Sequence, residues 1–303
     1  MNITLDENTY LAPIKLNLYL HITARRDSGY HEVDTLIAFT DYGDAVRVEP
    51  SDKLEMAVDG PFSSDLPEVQ TDNLVLRALD RMRKEFNITA GAKVTLVKNI
   101  PIAAGVGGGS SDAATAMLAA AKMWEMPESA LPTMMKIGAK VGADIPACLF
   151  RRPCFASGFG QVLKAAPEVA EMGVLLVNPG IKVSTPAVFE RRRGGFSPFM
   201  ADPSANLKSG SSLIGFLRGR ENDLTDAALS LCPPIQDILW AFEDIKGCRL
   251  ARMSGSGATC FGLFDTMAAA EAALDRFNNP NWWARAANLT SPATIFSEIA
   301  DVP

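Results

Sequence analysis

The chain has 303 residues, 48% of them hydrophobic and 21% charged. That is enough for one large domain or two ordinary ones around a sizeable core, and it excludes a largely disordered chain. Lysine and arginine number 29 against 35 aspartates and glutamates, a net charge of -6, which excludes a broad nucleic-acid surface but leaves room for a local anion site.

Five scattered cysteines with no C-x-x-C spacing read as reduced thiols rather than a disulfide framework. The two histidines, His21 and His31, are too few for a histidine-rich zinc site and leave little for a Ser-His-Asp hydrolase. The start, MNITLDENTY, is acidic where a secretory leader is basic and then apolar. No apolar run has the length of a membrane span. The expectation is a cytoplasmic protein with neither membrane nor nucleic acid as partner.

In chain order, Leu16, Leu18, Leu20 and Ile22 alternate with Lys15, Asn17, Tyr19 and His21, predicting a half-buried strand over Ile14–Ile22. A polar turn, Arg25 to Gly29, leads to two strand-like stretches, Val33–Phe39 and Ala45–Val48. Helical spacing covers Asn73–Phe86, and Val94–Lys98 alternates again. A glycine-rich loop, Gly105 to Gly109, opens onto an alanine-rich helix ending near Trp124, and a further helix spans Met134–Lys140. Val174–Val177 reads as a strand, and Arg191–Gly219, rich in Gly, Ser and Arg, as a long surface excursion. Helices near Leu224–Leu231 and Ile235–Ile245 precede a strand at Cys248–Met253, a small-residue loop at Ser254–Thr259, a helix near Met267–Phe277 and a late strand. Strands and helices mix without regular βαβ alternation and without an internal repeat, so the fold class is α+β in two domains.

The strongest chemical signal is the run from Pro101 to Ser111, with four glycines between Gly105 and Gly109. Glycine removes the Cβ and permits positive φ, and the following helix offers unpaired N–H groups at its positive end. Together they make a phosphate cradle, although no Gly-Lys-Ser/Thr completes a Walker loop. Lys15 could steady a transferring phosphoryl group, or be a solvated strand lysine. Asp144, in Gly142-Ala143-Asp144-Ile145-Pro146, could take a hydroxyl proton, or cap a turn. The Ser254-Gly255-Ser256-Gly257 loop is a turn or a second anion nest. Tyr30, His31 and Phe189 could stack on a flat ligand or be core residues, and Arg191 to Arg193 reads as a solvated run.

Pro13 to Leu18, Gly29-Tyr30-His31-Glu32, the Pro101–Ala114 loop, Gly142 to Pro146 and Ser254 to Gly257 occur in the order found in the GHMP kinases. The chain resembles that family over about Leu11 to Phe264, and the Gly-Tyr-His element is similar to members acting on a diphosphocytidyl substrate. The resemblance implies a two-domain GHMP kinase fold with a cleft between a nucleotide-binding domain, 1–155, and a substrate-side domain, 156–303. It implies ATP-dependent phosphorylation of the 2-hydroxyl of diphosphocytidyl methylerythritol, with Mg2+ travelling on ATP and its protein ligands undefined. Asp144 would be the base and Lys15 its electrostatic partner. Gly105, Gly107, Gly108, Gly109, Ser110 and Ser111 would wrap the phosphates, with Pro101, Lys98 and Asn73 also on the nucleotide side. Asn17 would help hold the acceptor, Tyr30 and Phe189 would sandwich the cytosine, and His31 would hydrogen-bond it. Thr185, Ser254 and Gly255 would border the acceptor. The expected assembly is a monomer or weak homodimer. The alternatives are a GHMP kinase for homoserine or a sugar, and a catalytically silent sensor, which would have no need of Lys15 with Asp144. Two departures, Ile14 and Val106, should alter packing only; the segment from Glu190 to Arg220 is longer than the family usually needs.

Overall fold

Two long strands form the spine of the molecule: β1 (Thr9–Arg25) and β2 (His31–Ser51), paired antiparallel with register shifts between Pro13 and Lys15, Asn17 and Tyr19, and Ile22 and Ala24. The computed structural model describes residues 8–27, 29–66, 72–292 and 295. The acidic segment 1–7 and Ser28 of the predicted turn lie outside the described residues. The two stretches predicted in 33–48 are one continuous strand. Between them Gly43 crosses β1 so closely that a Cβ there would lie 1.9 Å from the Ala12 carbonyl oxygen, so the polar Asp41-Tyr42-Gly43 segment is a crossing point rather than a turn.

Along its length β2 also pairs with β4 (Gly91–Val97), β5 (Cys154–Gly158) and β10 (Trp283–Thr290). The remaining strands are β3 (Leu54–Asp59), β6 (Val162–Ala165), β7 (Met172–Asn178), β8 (Leu250–Met253) and β9 (Cys260–Phe264). They complete a ten-stranded sheet of order β3-β4-β2-β10-β7-β9-β8, with β1 and the β5–β6 hairpin branching from β2. The expected division after residue 155 falls within β5.

Among the described residues the first half carries the α-helices α1 (Leu74–Glu85), α2 (Gly108–Met123), α3 (Leu131–Val141) and the short α4 (Ile145–Phe150). Asn73 caps α1 by accepting the Val75 N–H, and Val75, Ala78, Leu79 and Met82 bury one stripe. α2 is different. Every residue from Ser111 to Ala121 is buried, and alanine suits such a helix because it adds no side-chain bulk or entropy cost. The second half carries α5 (Thr185–Arg191), α6 (Gly210–Arg218), α7 (Thr225–Leu231), α8 (Pro234–Glu243) and α9 (Met267–Ala272).

Helix α6 corrects the predicted surface excursion. Ser209 and Ser212 form a reciprocal capping box, and Leu213, Ile214 and Leu217 are buried behind it. The serines that resemble loop composition are a helix start. The predicted half-buried strand is also corrected: β1 is buried on both faces from Ala12 to Leu20, Lys15, Asn17 and Tyr19 included. A middle apolar cluster explains this, because it joins Ile14, Leu16 and Val106 to Val174, Leu176, Phe261 and Leu263 from the second half of the chain.

Candidate active site

The β1 irregularity at Pro13–Lys15 leaves the Lys15 N–H donating to the Val106 carbonyl at 3.1 Å, which ties the strand to the glycine-rich loop. The Lys15 side chain is 3% exposed; its Nζ donates to Asn17 Oδ1 at 2.9 Å and lies 3.2 Å from Asp144 Oδ2. Asn17 is itself held. Its Nδ2 donates to Thr35 Oγ1 at 2.9 Å, and its backbone N–H donates to Ser254 Oγ at 3.1 Å. Asp144 precedes α4 but makes no side-chain cap bond, and its side chain is 44% exposed. The lysine is therefore no solvated strand residue and the aspartate no capping group. They form an ammonium–carboxylate pair with the carboxylate on the open side.

Above this pair stands the start of α2. Its N-cap, Gly107, has φ +67° and offers no capping side chain, so the first-turn N–H groups remain available to an anion. Two glycine-rich loops press together backbone to backbone: a Cβ on Gly105 would lie 2.3 Å from Gly257 O, and one on Gly255 2.6 Å from Gly105 O. The Thr259 N–H donates to Ala104 O at 3.1 Å across the same seam. The Ser254–Gly257 loop thus supports the first loop from behind.

Beneath α2, Lys98 Nζ is buried between two carboxylates, donating to Asp44 Oδ2 and, at 2.8 Å, to Asp112 Oδ2. Burial acts to lower the Lys98 pKa, but Asp112 and Asp44 outweigh it and the net shift is upward. Burial drives the Asp112 carboxyl well up, opposed by Lys98 and reinforced by Asp44. Asp44 also accepts the N–H groups of Asn99 at 2.6 Å and Ile100 at 3.0 Å, whereas Asp112 Oδ1 has no partner.

The Lys15–Asp144 pair and the glycine-rich loop line a cleft of about 640 Å³. Lys15 and Asp144 lie in its wall with Asn17, Asn73, Lys98 and Pro101; so do Gly105, Gly107 to Ser110, Thr185, Phe189 and Gly255. Four expected residues lie outside that wall. Ser111 turns inward, its hydroxyl donating to Pro13 O at 2.7 Å and its N–H to Gly107 O at 2.8 Å. Ser254 is fully buried and meets the site through Asn17, whose backbone N–H it accepts. Tyr30 and His31 stand at the mouth, where their rings pack on Phe159 and Phe189, which do line the cleft. Partial burial, then Arg25 and Arg192, lower the His31 pKa and so favour its neutral imidazole.

Sequence reasoning missed Asp44, Asp112, Thr35 and Phe159. Asp112 had a usable signal, since a carboxylate inside an alanine-rich buried helix must find a cation. Thr35 gave none; in the Ser254–Gly257 loop already expected at the acceptor, the Ser256 hydroxyl meets that of Thr185 at 2.7 Å. Among the described residues no three His, Cys, Asp or Glu side chains converge as a metal site, and no helix is long and apolar enough to cross a membrane.

Comparison with known proteins follows the same geometry. The GHMP kinases N terminal domain model matches residues 73–152 and the GHMP kinases C terminal model residues 207–281. The 4-diphosphocytidyl-2-C-methyl-D-erythritol kinase of Paracoccus denitrificans is 44% identical over 280 residues, covering 92% of this chain and 95% of that protein. A crystal structure of 4-(cytidine 5'-diphospho)-2C-methyl-D-erythritol kinase superposes with a TM-score of 0.73 at 30% identity, covering 93% of this chain and 98% of the other. Homoserine kinase from Cytophaga hutchinsonii shares the fold at TM-score 0.66 and 17% identity, over 96% and 98% of the two chains.

Proposed function

This chain belongs to the GHMP kinase family, and on that premise we propose that its cleft transfers the γ-phosphoryl group of ATP to the 2-hydroxyl of 4-diphosphocytidyl-2-C-methyl-D-erythritol. The observation that carries the reading is the buried Lys15 ammonium, 3.2 Å from an open Asp144 carboxylate, below an α2 terminus with no capping side chain. Phosphoryl transfer demands positioning and charge stabilisation more than covalent work by the protein, and this arrangement supplies both.

Asp144 accepts the acceptor hydroxyl proton as the O–P bond forms, and Lys15, fixed by Asn17, neutralises charge growing on the phosphoryl oxygens. The N–H groups of Gly108, Gly109 and Ser110 receive the ATP phosphates. Pro101, Asn73 and Lys98 border the nucleotide, and the Lys98 carboxylate pair anchors α2 to β2. Mg2+ would travel as a passenger on the ATP phosphates, since among the described residues no three His, Cys, Asp or Glu side chains converge; bound there, it would neutralise the phosphate oxygens. Thr185, Gly255 and Phe189 border the acceptor, and Tyr30 and His31 meet its base at the mouth.

The test is coupled ADP release with ATP, Mg2+ and the diphosphocytidyl acceptor, run beside homoserine, mevalonate and galactose. Turnover with the cytidine acceptor alone is expected. Turnover with another acceptor would overturn the substrate, and silence with every acceptor would overturn the reaction.

A further inference from the structure

The Lys15 ammonium carries three protons and can only donate. The Asn17 atom that faces it at 2.9 Å is therefore the amide oxygen, and the amide nitrogen points the other way, onto Thr35 Oγ1 at 2.9 Å. With Asn17 Nδ2 donating, Thr35 Oγ1 must accept there, and its single proton has to be used elsewhere. The Thr35 hydroxyl spends it on the Tyr19 carbonyl. Protons thus point in one direction through the chain, from Lys15 to Asn17, to Thr35, to the Tyr19 backbone. The chain is buried, with Lys15, Asn17 and Thr35 only 3%, 4% and 2% exposed.

Strand register brings these side chains together. Lys15 pairs with Phe39 and Asn17 with Ile37, and Thr35, two residues from Ile37, shows its side chain on the same face of β2. Thr35 is therefore the diagonal neighbour of Asn17. Tyr19 pairs with Leu36, so Leu18 is an extra residue in β1, and at this bulge the Thr35 hydroxyl meets the Tyr19 carbonyl. Of the Lys15 protons, one goes to Asn17 Oδ1 and one faces Asp144 Oδ2 at 3.2 Å. The third is left for the cleft that Lys15 lines.

We propose that Thr35 is a positioning residue for phosphoryl transfer: its hydroxyl, held as an acceptor toward Asn17, keeps the Asn17 oxygen on Lys15 and so aims the third ammonium proton at the transferring group. With no acceptor at position 35 the Asn17 NH2 group is buried and unpaired. The amide can then satisfy it only by turning away from Lys15, which frees the ammonium to shift. Thr35 acts through Asn17 rather than on substrate, and the role rests on the phosphoryl-transfer reading above.

The experiment compares wild type, Thr35→Val, Thr35→Cys, Thr35→Ser, Asn17→Ala and the Asn17→Ala, Thr35→Val double variant. The readouts are ADP release at saturating acceptor, titration with a non-hydrolysable ATP analogue, and thermal unfolding. Thr35→Val keeps the shape of threonine without its hydroxyl, and kcat is expected to fall by about 10- to 100-fold, the order of a misplacement of up to about 1 Å. The ATP-analogue affinity should stay at the wild-type value in protein still folded at the assay temperature. Thr35→Ser keeps the hydroxyl and should return kcat close to wild type. Thr35→Cys, whose sulfur is a weak acceptor, should fall between them and carries the test if the valine variant does not fold. In Asn17→Ala the valine should add no further loss, because Thr35 has nothing left to position. A wild-type kcat in Thr35→Val or Thr35→Cys, failure of Thr35→Ser to restore it, losses that multiply in the double variant, or an equal loss of ATP-analogue affinity would each overturn the proposal. Wild-type protein that releases no ADP with any acceptor would instead remove the phosphoryl-transfer reading, and the role of Thr35 with it.

Discussion

Gly107→Ala tests the link between the phosphate loop and the catalytic pair. Gly107 sits at φ +67°, where an alanine costs about 1–2 kcal/mol. Its new Cβ would lie 2.9 Å from Lys15 Cε and 3.7 Å from Asp144 Oδ2. Carbon atoms rest at about 3.5–4.0 Å, so the lysine stem must retreat by roughly 0.6 Å or more. Lys15 is buried and tethered to Asn17 and Asp144, so the retreat moves its ammonium relative to the transferring phosphoryl group. A misplacement of about 1 Å can lower a rate about 100-fold. The expected result is a kcat reduced by about 30- to 100-fold, with ATP affinity far less affected and a melting temperature lower by about 2–8 °C. The assay is ADP release at saturating acceptor beside calorimetric titration with a non-hydrolysable ATP analogue. In an Asp144→Asn background the same substitution should add little, because residues that act as one unit are not additive. A wild-type kcat, or a loss carried entirely by ATP affinity, would refute the reasoning.

Asp144→Asn should lower kcat by about 100-fold or more while ATP binding persists, as for loss of a general base; single-turnover and binding measurements separate the two. Asp44→Asn should destabilise the fold by about 3 kcal/mol, because it removes one of the two charge partners of a buried lysine and disturbs two backbone N–H bonds. Asp112→Asn should cost less, about 1 kcal/mol, since Asp112 uses one oxygen and an amide oxygen can still accept from Lys98; denaturant midpoints for the two variants give the order. Ser111→Ala should lower stability by about 1 kcal/mol through the lost bond to Pro13 O and leave the ATP KM unchanged; a raised ATP KM would place its hydroxyl on the phosphates instead.

Local chemistry made part of this protein readable from one dimension. Four glycines at the head of an alanine-rich helix favour bare N–H groups over a side-chain cap, and the α2 terminus is built that way, with Gly107 as its N-cap. Alternation marked β1, and short-range spacing marked α1, α8 and the core of β7. Composition misled where polar residues serve as structure: the Ser209–Ser212 box begins a helix, and Asp41-Tyr42-Gly43 passes through a strand crossing.

What tertiary structure alone decided is which of those residues meet. Lys15 and Asp144 are 129 positions apart, and each had an ordinary alternative reading until the irregular β1 edge and the head of α4 brought them to 3.2 Å. Ser111 looked like its neighbour Ser110, but adjacent helical residues point about 100° apart, and the hydroxyl of Ser111 faces Pro13 instead of the cleft. Phe159 carried no signal at all, because its partner Tyr30 is supplied by the β2–β5 register. Sequence by itself determines conformations set by neighbours within a turn or two; the pairing of charges and rings across the cleft is set by long-range packing, whose register and burial no local pattern encodes.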